Sequence, residues 1–178
     1  GGMSASIYTT NNAEATWYVT NHSQSTIAVC EDAVQTEKYV NIASKSPHLN
    51  TVVQYIGTID PKQKESLAKH GKQLLTWSEF LQLAIQSSEP TAPAPSSSPK
   101  GPATSANANV AGINPLKGDD ELTATLRARI IAQQPDHCCT LIYTSGTTGN
   151  PKAVMLSHDN LTFTAAASLC EVDINETD

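Results

Sequence analysis

The sequence has no run of basic residues, no Cys-x-x-Cys pair and no apolar stretch long enough to cross a membrane. Lysine and arginine total 11 against 17 aspartate and glutamate residues, which gives a formal net charge of −6. Nucleic-acid binders concentrate positive charge on one face, so we expect no nucleic-acid partner. Docking on anionic lipid through a polybasic patch is disfavoured for the same reason.

The cysteines are few and poorly spaced for cross-linking. The chain has four of them: Cys30, Cys138, Cys139 and Cys170. Consecutive strand residues point to opposite faces, so Cys138 and Cys139 would diverge. The sequence therefore predicts buried free thiols in a reducing compartment rather than a disulfide framework. The same divergence argues against a metal site at His137, Cys138 and Cys139.

The first 86 residues alternate between strand-like and helix-like patterns. The predicted strands are residues 5–9, 26–30 and 51–56, and the predicted helices between them are residues 13–21 and 33–43. This alternation indicates βαβ units and a mostly parallel sheet with flanking helices, an α/β fold.

A further helix is predicted at the end of this region. Thr76 and Glu79 have the spacing of a capping box, and the helix that they open should continue through Leu83 and Ile85. Trp17 and Trp77 are both interpreted as core residues.

Composition divides the chain into three parts. Residues 1–86 form the βαβ part, and residues 119–178 contain a predicted helix at 119–133 and a predicted strand at 138–143. Six of the ten prolines fall within residues 87–118, among Ser, Ala, Thr, Asn and Gly. Such a segment cannot bury enough apolar surface to offset its ordering entropy, so it is predicted to be a disordered surface insertion. A short recognition motif within it is the alternative.

One stretch, YTSGTTGNPKAVMLSHDN at residues 143–160, directly follows the last predicted strand. It fits neither the Walker A pattern nor the Rossmann glycine pattern. Its hydroxyl side chains can donate hydrogen bonds, its glycines allow a close backbone approach, and its lysine can meet a phosphate as a point charge. The candidate binding residues are Thr144, Ser145, Gly146, Thr147, Thr148, Gly149, Asn150, Pro151 and Lys152. On composition alone, an ordinary exposed loop is an equally good interpretation.

The complete string resembles the signature phosphate loop of the adenylate-forming, or AMP-binding, superfamily. Four stretches resemble bubblegum-type long-chain fatty acyl-CoA synthetases in residue sequence and in order along the chain. They are QQPDHCCTLIYTSGTTGNPK, GGMSASIYTTNNAEA, SPHLNTVVQYIG and TWSEF. The resemblance covers most of the chain outside residues 87–118. It implies that residues 1–86 and 119–178 belong to the large N-terminal domain of an adenylate-forming enzyme.

The resemblance also implies a two-step ligase. ATP and a fatty acid carboxylate would form an acyl-adenylate and pyrophosphate with the help of Mg²⁺, and coenzyme A would then displace AMP to form the thioester. Residues 144–152 would contact ATP, with Ser145, Thr147, Thr148 and Lys152 as phosphate partners. The alternatives are another adenylate-forming enzyme, either an aryl-CoA synthetase or an amino-acid adenylation domain, and a non-catalytic nucleotide-binding module.

The sequence departs from the family pattern at two levels. Ala153 stands where the family usually has glycine, which is tolerable if the residue has a negative φ and no close neighbour. The family's later motifs have no counterpart, so we expect an internal piece of a longer enzyme that completes neither half-reaction alone. No catalytic residue or protein metal ligand is assigned within it. The resemblance implies a cytoplasmic enzyme, with peripheral association at the endoplasmic reticulum face.

His158 follows the loop at the far end of the next predicted strand, residues 153–156. A general-base role is conceivable, but capping or packing at the start of a helix is the favoured interpretation. Ser157 or Asp159 would then be the helix cap.

Overall fold

The computed structural model describes residues 2–86, 121–144 and 150–171 of the chain. The predicted insertion at residues 87–118 lies outside the described residues. The first described range contains the elements β1 (Ser4–Ala5), α1 (Ala13–His22), β2 (Ile27–Cys30), α2 (Ala33–Ile42), β3 (Thr51–Gln54), α3 (Pro61–Lys69), β4 (Gln73–Thr76) and α4 (Trp77–Gln86), with a 3₁₀ turn at Ala43–Lys45. The other two ranges contain α5 (Glu121–Ile131), β5 (Cys138–Thr144), β6 (Lys152–Ser157) and α6 (His158–Glu171).

Strands β2, β3 and β4 form one parallel sheet in sequence order. Helix α2 connects β2 to β3 and α3 connects β3 to β4, so two successive βαβ units build this sheet. Val52 of the central strand, Leu67 of α3 and Leu74 of β4 are fully buried in the core. The predicted α/β fold with a parallel sheet and flanking helices is confirmed.

A second sheet, in the order β1-β5-β6, carries the candidate loop. Strand β1 pairs in parallel with β5, whereas β5 and β6 are antiparallel and form a hairpin. The register shifts between Cys138 and Thr140, which places a bulge at the start of β5. The sheet is therefore mixed, and its antiparallel pair lies on the two sides of residues 145–151.

Side chains cap the starts of α1, α2 and α4. The side chains of Asn12 and Asp32 accept hydrogen bonds from the first turns of α1 and α2. At α4, the Thr76 amide donates to Glu79 Oε2 at 2.7 Å and the Glu79 amide donates to Thr76 Oγ1 at 3.2 Å. The predicted capping box is confirmed.

Three predictions about individual segments are wrong. The strand predicted at residues 5–9 is limited to Ser4–Ala5, the two residues that are in register with β5. After one further hydrogen bond, from the Ser6 amide to the Leu141 carbonyl, the chain turns, with the Asn11 amide donating to the Tyr8 carbonyl. Trp77 is 44% exposed and rests on Phe80 instead of entering the core. Cys170 is exposed, although Cys30 is buried as predicted.

The pattern also failed to indicate two elements. Helix α3 is capped by Asp60, whose carboxylate accepts from the Lys62 amide, and begins at Pro61. Strand β4 is only four residues long and follows Gly71, which has a φ of +71°. An Asp-Pro pair is a helix-start signal, so α3 could have been found from the sequence.

None of the helices in the described ranges is long and apolar enough to span a bilayer.

Tyr39, in the core beneath the parallel sheet, gives a test of this packing. It is 6% exposed, and burial first, with the neighbouring Cys30 thiol second, raises the pKa of Tyr39 to about 12. Because an unfolded tyrosine ionises at about pH 10, the folded state keeps its proton to higher pH, and stability is lost as pH rises from about 10 towards 12. We expect a loss of about 1.4 kcal/mol at pH 11 relative to pH 9.

The measurement is the urea unfolding free energy at pH 9 and pH 11 for the wild type and Tyr39→Phe. The alkaline loss should be smaller in Tyr39→Phe by that amount. Burial also lowers the pKa of Lys72, but its contribution is common to both proteins and cancels in the difference. Tyr8→Phe, at a position 69% exposed, is the matched control and should behave as the wild type. Equal alkaline losses in the wild type and Tyr39→Phe would contradict the prediction.

Candidate nucleotide-binding site

The hairpin of β5 and β6 fixes both ends of the candidate loop. Thr144, the last residue of β5, is the register partner of Lys152, the first residue of β6. The chain between them is residues 145–151. Of the candidate residues within it, Ser145, Gly146, Thr147, Thr148 and Gly149 lie outside the described residues, whereas Asn150 is exposed and Pro151 is half-buried.

Thr144 and Lys152 present their side chains together. Register partners in an antiparallel pair point to the same face, with Cβ atoms about 5 Å apart. Both side chains are exposed. Within the described part of the chain, no hydrogen bond or ion pair engages the Lys152 ammonium. A hydroxyl and a positive charge thus stand side by side where the loop begins and ends, at the carboxyl end of β5. In open α/β sheets this edge is where ligands usually bind.

Tyr143, on the opposite face of the hairpin, anchors this end of β5. Its side chain is 6% exposed, and its hydroxyl is hydrogen bonded to His22 Nδ1 at the end of α1, at 2.9 Å. Burial raises the pKa of the Tyr143 phenol, with the Ser23 hydroxyl partly opposing it, so the hydroxyl keeps its proton at neutral pH. Sequence patterns did not assign this role, because Tyr143 and His22 are 121 residues apart.

Ala153, the departure from the family pattern, occupies an ordinary strand position opposite Tyr143. Among the described residues, Gln24 is the non-glycine residue with a positive φ. Ala153 therefore does not need the left-handed backbone that would demand glycine. One of the two conditions for tolerating alanine here is met.

His158 lies at the wrong end of the hairpin to act at the loop. Strand β6 separates it from Lys152, a distance of about 20 Å at the usual rise per residue. Its neighbourhood is that of a helix start: the Asn160 amide donates to Ser157 Oγ at 3.2 Å and Asn160 Oδ1 accepts from the Ser157 amide at 3.0 Å. Ser157 is therefore the cap of α6, and Asp159 is not.

The thiols beside the hairpin serve its packing. Cys139 Sγ donates to the Leu156 carbonyl of β6 at 3.3 Å, and Cys138 Sγ donates to the Thr140 carbonyl at 3.6 Å. No group of three or more His, Cys, Asp or Glu side chains that could hold a metal ion occurs in residues 2–86, 121–144 and 150–171.

Two cavities lie on either side of the segment that follows β1. The larger, of about 350 Å³, is open to solvent and lined by this segment, α1, β2 and α2, and none of the candidate loop residues lines it. The smaller, of about 240 Å³, is lined by Ser6, Ile7, Tyr8, Ile142 and Tyr143. The base of the loop therefore borders a small, mainly apolar groove.

Comparisons with known proteins agree with these features. The sequence model of the family described as AMP-binding enzyme matches residues 1–178. The long-chain-fatty-acid–CoA ligase ACSBG2 of Xenopus laevis is 37% identical over 176 residues, which is 99% of this chain and 18% of that protein. The human long-chain-fatty-acid–CoA ligase ACSBG1 is 33% identical over 165 residues, covering 93% of this chain and 17% of its own length.

These relatives confirm the resemblance to bubblegum-type synthetases, and the chain spans about a fifth of their length. A crystal structure of the anthranilate CoA ligase AuaEII with anthranoyl-AMP aligns with 92% of this chain and 22% of its own, at 14% identity and a TM-score of 0.49. That likeness is too low to carry a further structural inference. Because the family model extends over all 178 residues, the chain belongs to the AMP-binding enzyme family.

Proposed function

We propose that the full-length protein is a long-chain fatty acid–CoA ligase and that residues 144–152 hold the phosphates of ATP. Family membership and the relatives named as long-chain-fatty-acid–CoA ligases support the reaction class. The observation that carries the site assignment is the pairing of Thr144 with Lys152 across the hairpin. This pairing places a hydroxyl donor and an ammonium at the mouth of the loop.

In the first half-reaction, a carboxylate oxygen of the fatty acid attacks the α-phosphorus of ATP. The bond from this phosphorus to the bridging oxygen breaks, and pyrophosphate leaves with the electron pair. Negative charge therefore grows on the departing β- and γ-phosphates, where Lys152 and the loop hydroxyls are proposed to act. Such transfer depends mainly on positioning and charge neutralisation, which a cation held by a paired strand can supply.

In the second half-reaction, the coenzyme A thiol loses its proton to solvent and its sulfur attacks the acyl carbon. The bond from this carbon to the phosphate oxygen breaks, and AMP leaves with the electron pair, giving the thioester. Mg²⁺ is proposed as a counter-ion of ATP itself, since the described residues at the loop mouth are a threonine and a lysine rather than carboxylates. No step is assigned to a metal held by this chain. A cytoplasmic location and peripheral contact with the endoplasmic reticulum membrane belong to the same proposal.

The test is pyrophosphate release by the full-length protein with ATP, Mg²⁺ and a panel of carboxylic acids. The panel contains fatty acids of graded length, aryl acids and amino acids, and acyl-CoA is assayed in parallel. The proposal predicts release and thioester formation with long-chain fatty acids. Release with aryl or amino acids alone would indicate another adenylate-forming enzyme. Binding of ATP without release for any acid would indicate the non-catalytic module.

A further inference from the structure

We propose that His22 and Tyr143 are positioning residues for Thr144 and for its register partner Lys152, which they serve by holding the end of β5 against α1. The kinetic consequence rests on the proposed ligase function. The loop residues 144–152 begin immediately after Tyr143, so any displacement of Tyr143 is passed directly to Thr144.

The contact between the two residues is specific in geometry. The Tyr143 hydroxyl and His22 Nδ1 are 2.9 Å apart, and the two rings meet edge to face with centroids 5.7 Å apart. Tyr18 stacks on His22 at 5.5 Å and meets Tyr143 edge to face at 6.4 Å. Two neighbouring rings and one hydrogen bond therefore fix the Tyr143 side chain, and aromatic contacts of this kind add to the stabilisation from burial.

This anchor holds both sides of the loop. Tyr143 is the register partner of Ala153, and the adjacent pair is Thr144 with Lys152. On β5, the neighbours Ile142 and Thr144 are exposed, so Tyr143 is the inward-facing side chain at this end of the strand. A shift of Tyr143 would move the Thr144 hydroxyl and the Lys152 ammonium together. Displacements of about 1 Å in positioning groups can reduce rates strongly.

The experiment uses Tyr143→Phe and His22→Phe, which keep an aromatic ring and remove the hydrogen bond, and the double variant. In the full-length protein, each single variant should raise the KM for ATP about fivefold, the factor expected for one hydrogen bond of ordinary strength. The KM for ATP of the double variant should not exceed that of the more impaired single variant, because both substitutions remove the same hydrogen bond. The KM values for fatty acid and coenzyme A should stay within about twofold of the wild type. A variant that only lowers the amount of folded protein changes no KM, so a selective rise in the KM for ATP indicates positioning.

Tyr39→Phe is the matched control, since Tyr39 is as buried as Tyr143 but belongs to the core of the other sheet. It should leave the KM for ATP unchanged. An unchanged KM for ATP in Tyr143→Phe and His22→Phe would overturn the proposal. This holds even if the unfolding midpoint of the variants falls, because the contact would then serve stability alone. Should Tyr143→Phe fail to fold, the KM for ATP of His22→Phe and of His22→Gln, each relative to the wild type, tests the proposal in its place.

A failure of the proposed ligase function can be distinguished from a failure of the positioning role. In that case the wild type itself releases no pyrophosphate with any acid, and the same variants are compared by direct titration with ATP. Weaker ATP binding by about fivefold in both single variants would still support the positioning role, and equal binding would overturn it.

Discussion

Replacing Lys152 with alanine in the full-length protein is expected to lower kcat/KM for ATP in pyrophosphate release about a hundredfold. Lys152 begins β6 opposite Thr144, its side chain is exposed, and no ion pair within the described residues occupies its charge. A cation that faces the departing phosphates, the role proposed for Lys152, stabilises the charge that grows there, and removing such a group typically costs two or more orders of magnitude. The measurement is the rate of pyrophosphate release at varied ATP concentration with a saturating long-chain fatty acid.

The matched control is Lys62→Ala, which removes an exposed lysine from the start of α3, the helix that connects β3 to β4 of the other sheet. It should retain the wild-type value within about twofold, as expected for surface substitutions away from a site. Lys152→Arg keeps the charge and should recover part of the activity, although its planar group differs in geometry from an ammonium. If Lys152→Ala and Lys62→Ala gave the same rates, the loop assignment would be wrong.

Leu67→Ala should be the most destabilising single truncation in the parallel-sheet core, with a loss of about 3 kcal/mol in the free energy of unfolding. Leu67 is 0% exposed and joins α3 to the buried cluster that includes Val52 and Leu74. Truncation removes apolar burial and leaves a cavity that the surrounding sheet fills only in part. The corresponding fall in melting temperature is about 10 °C for a chain of this size.

The measurement is urea-induced unfolding, with Leu81→Ala as the control. Leu81 lies on α4 and is 49% exposed, so the same truncation there should cost less than about 0.5 kcal/mol. Losses of similar size at the two positions would show that α3 does not pack as described.

Local chemistry predicted the parts of the fold that depend on neighbouring residues. The side chains of Thr76 and Glu79 indicated the start of α4 because they satisfy backbone groups only a few residues away. The alternation of β2, α2 and β3 was visible because each buried strand has a β-branched or apolar pattern and each helix follows a cap.

Features that depend on distant partners could not be predicted in this way. The length of β1 is set by pairing with β5, since Ser4 and Thr140 are 136 residues apart in sequence. The apolar stripe of α5 includes Leu126, Ile130 and Ile131, yet all three are exposed, so periodicity there indicated a helix without indicating what covers it.

The candidate site also combines features that the local sequence indicates with features that depend on distant partners. The motif in residues 143–160 indicated a phosphate loop, and the structure adds that Thr144 and Lys152 are register partners. The contact of Tyr143 with His22 does not follow from local spacing, because it depends on how β5 packs on α1, which is distant in the sequence.

The most direct test of the loop assignment is amide hydrogen exchange of the full-length protein, measured without nucleotide, with AMP and with ATP plus Mg²⁺. If residues 144–152 hold the β- and γ-phosphates, ATP should slow exchange in peptides covering these residues, and AMP, which lacks both phosphates, should not. Exchange in residues 144–152 that is unchanged by saturating ATP, in a protein that releases pyrophosphate, would contradict the assignment.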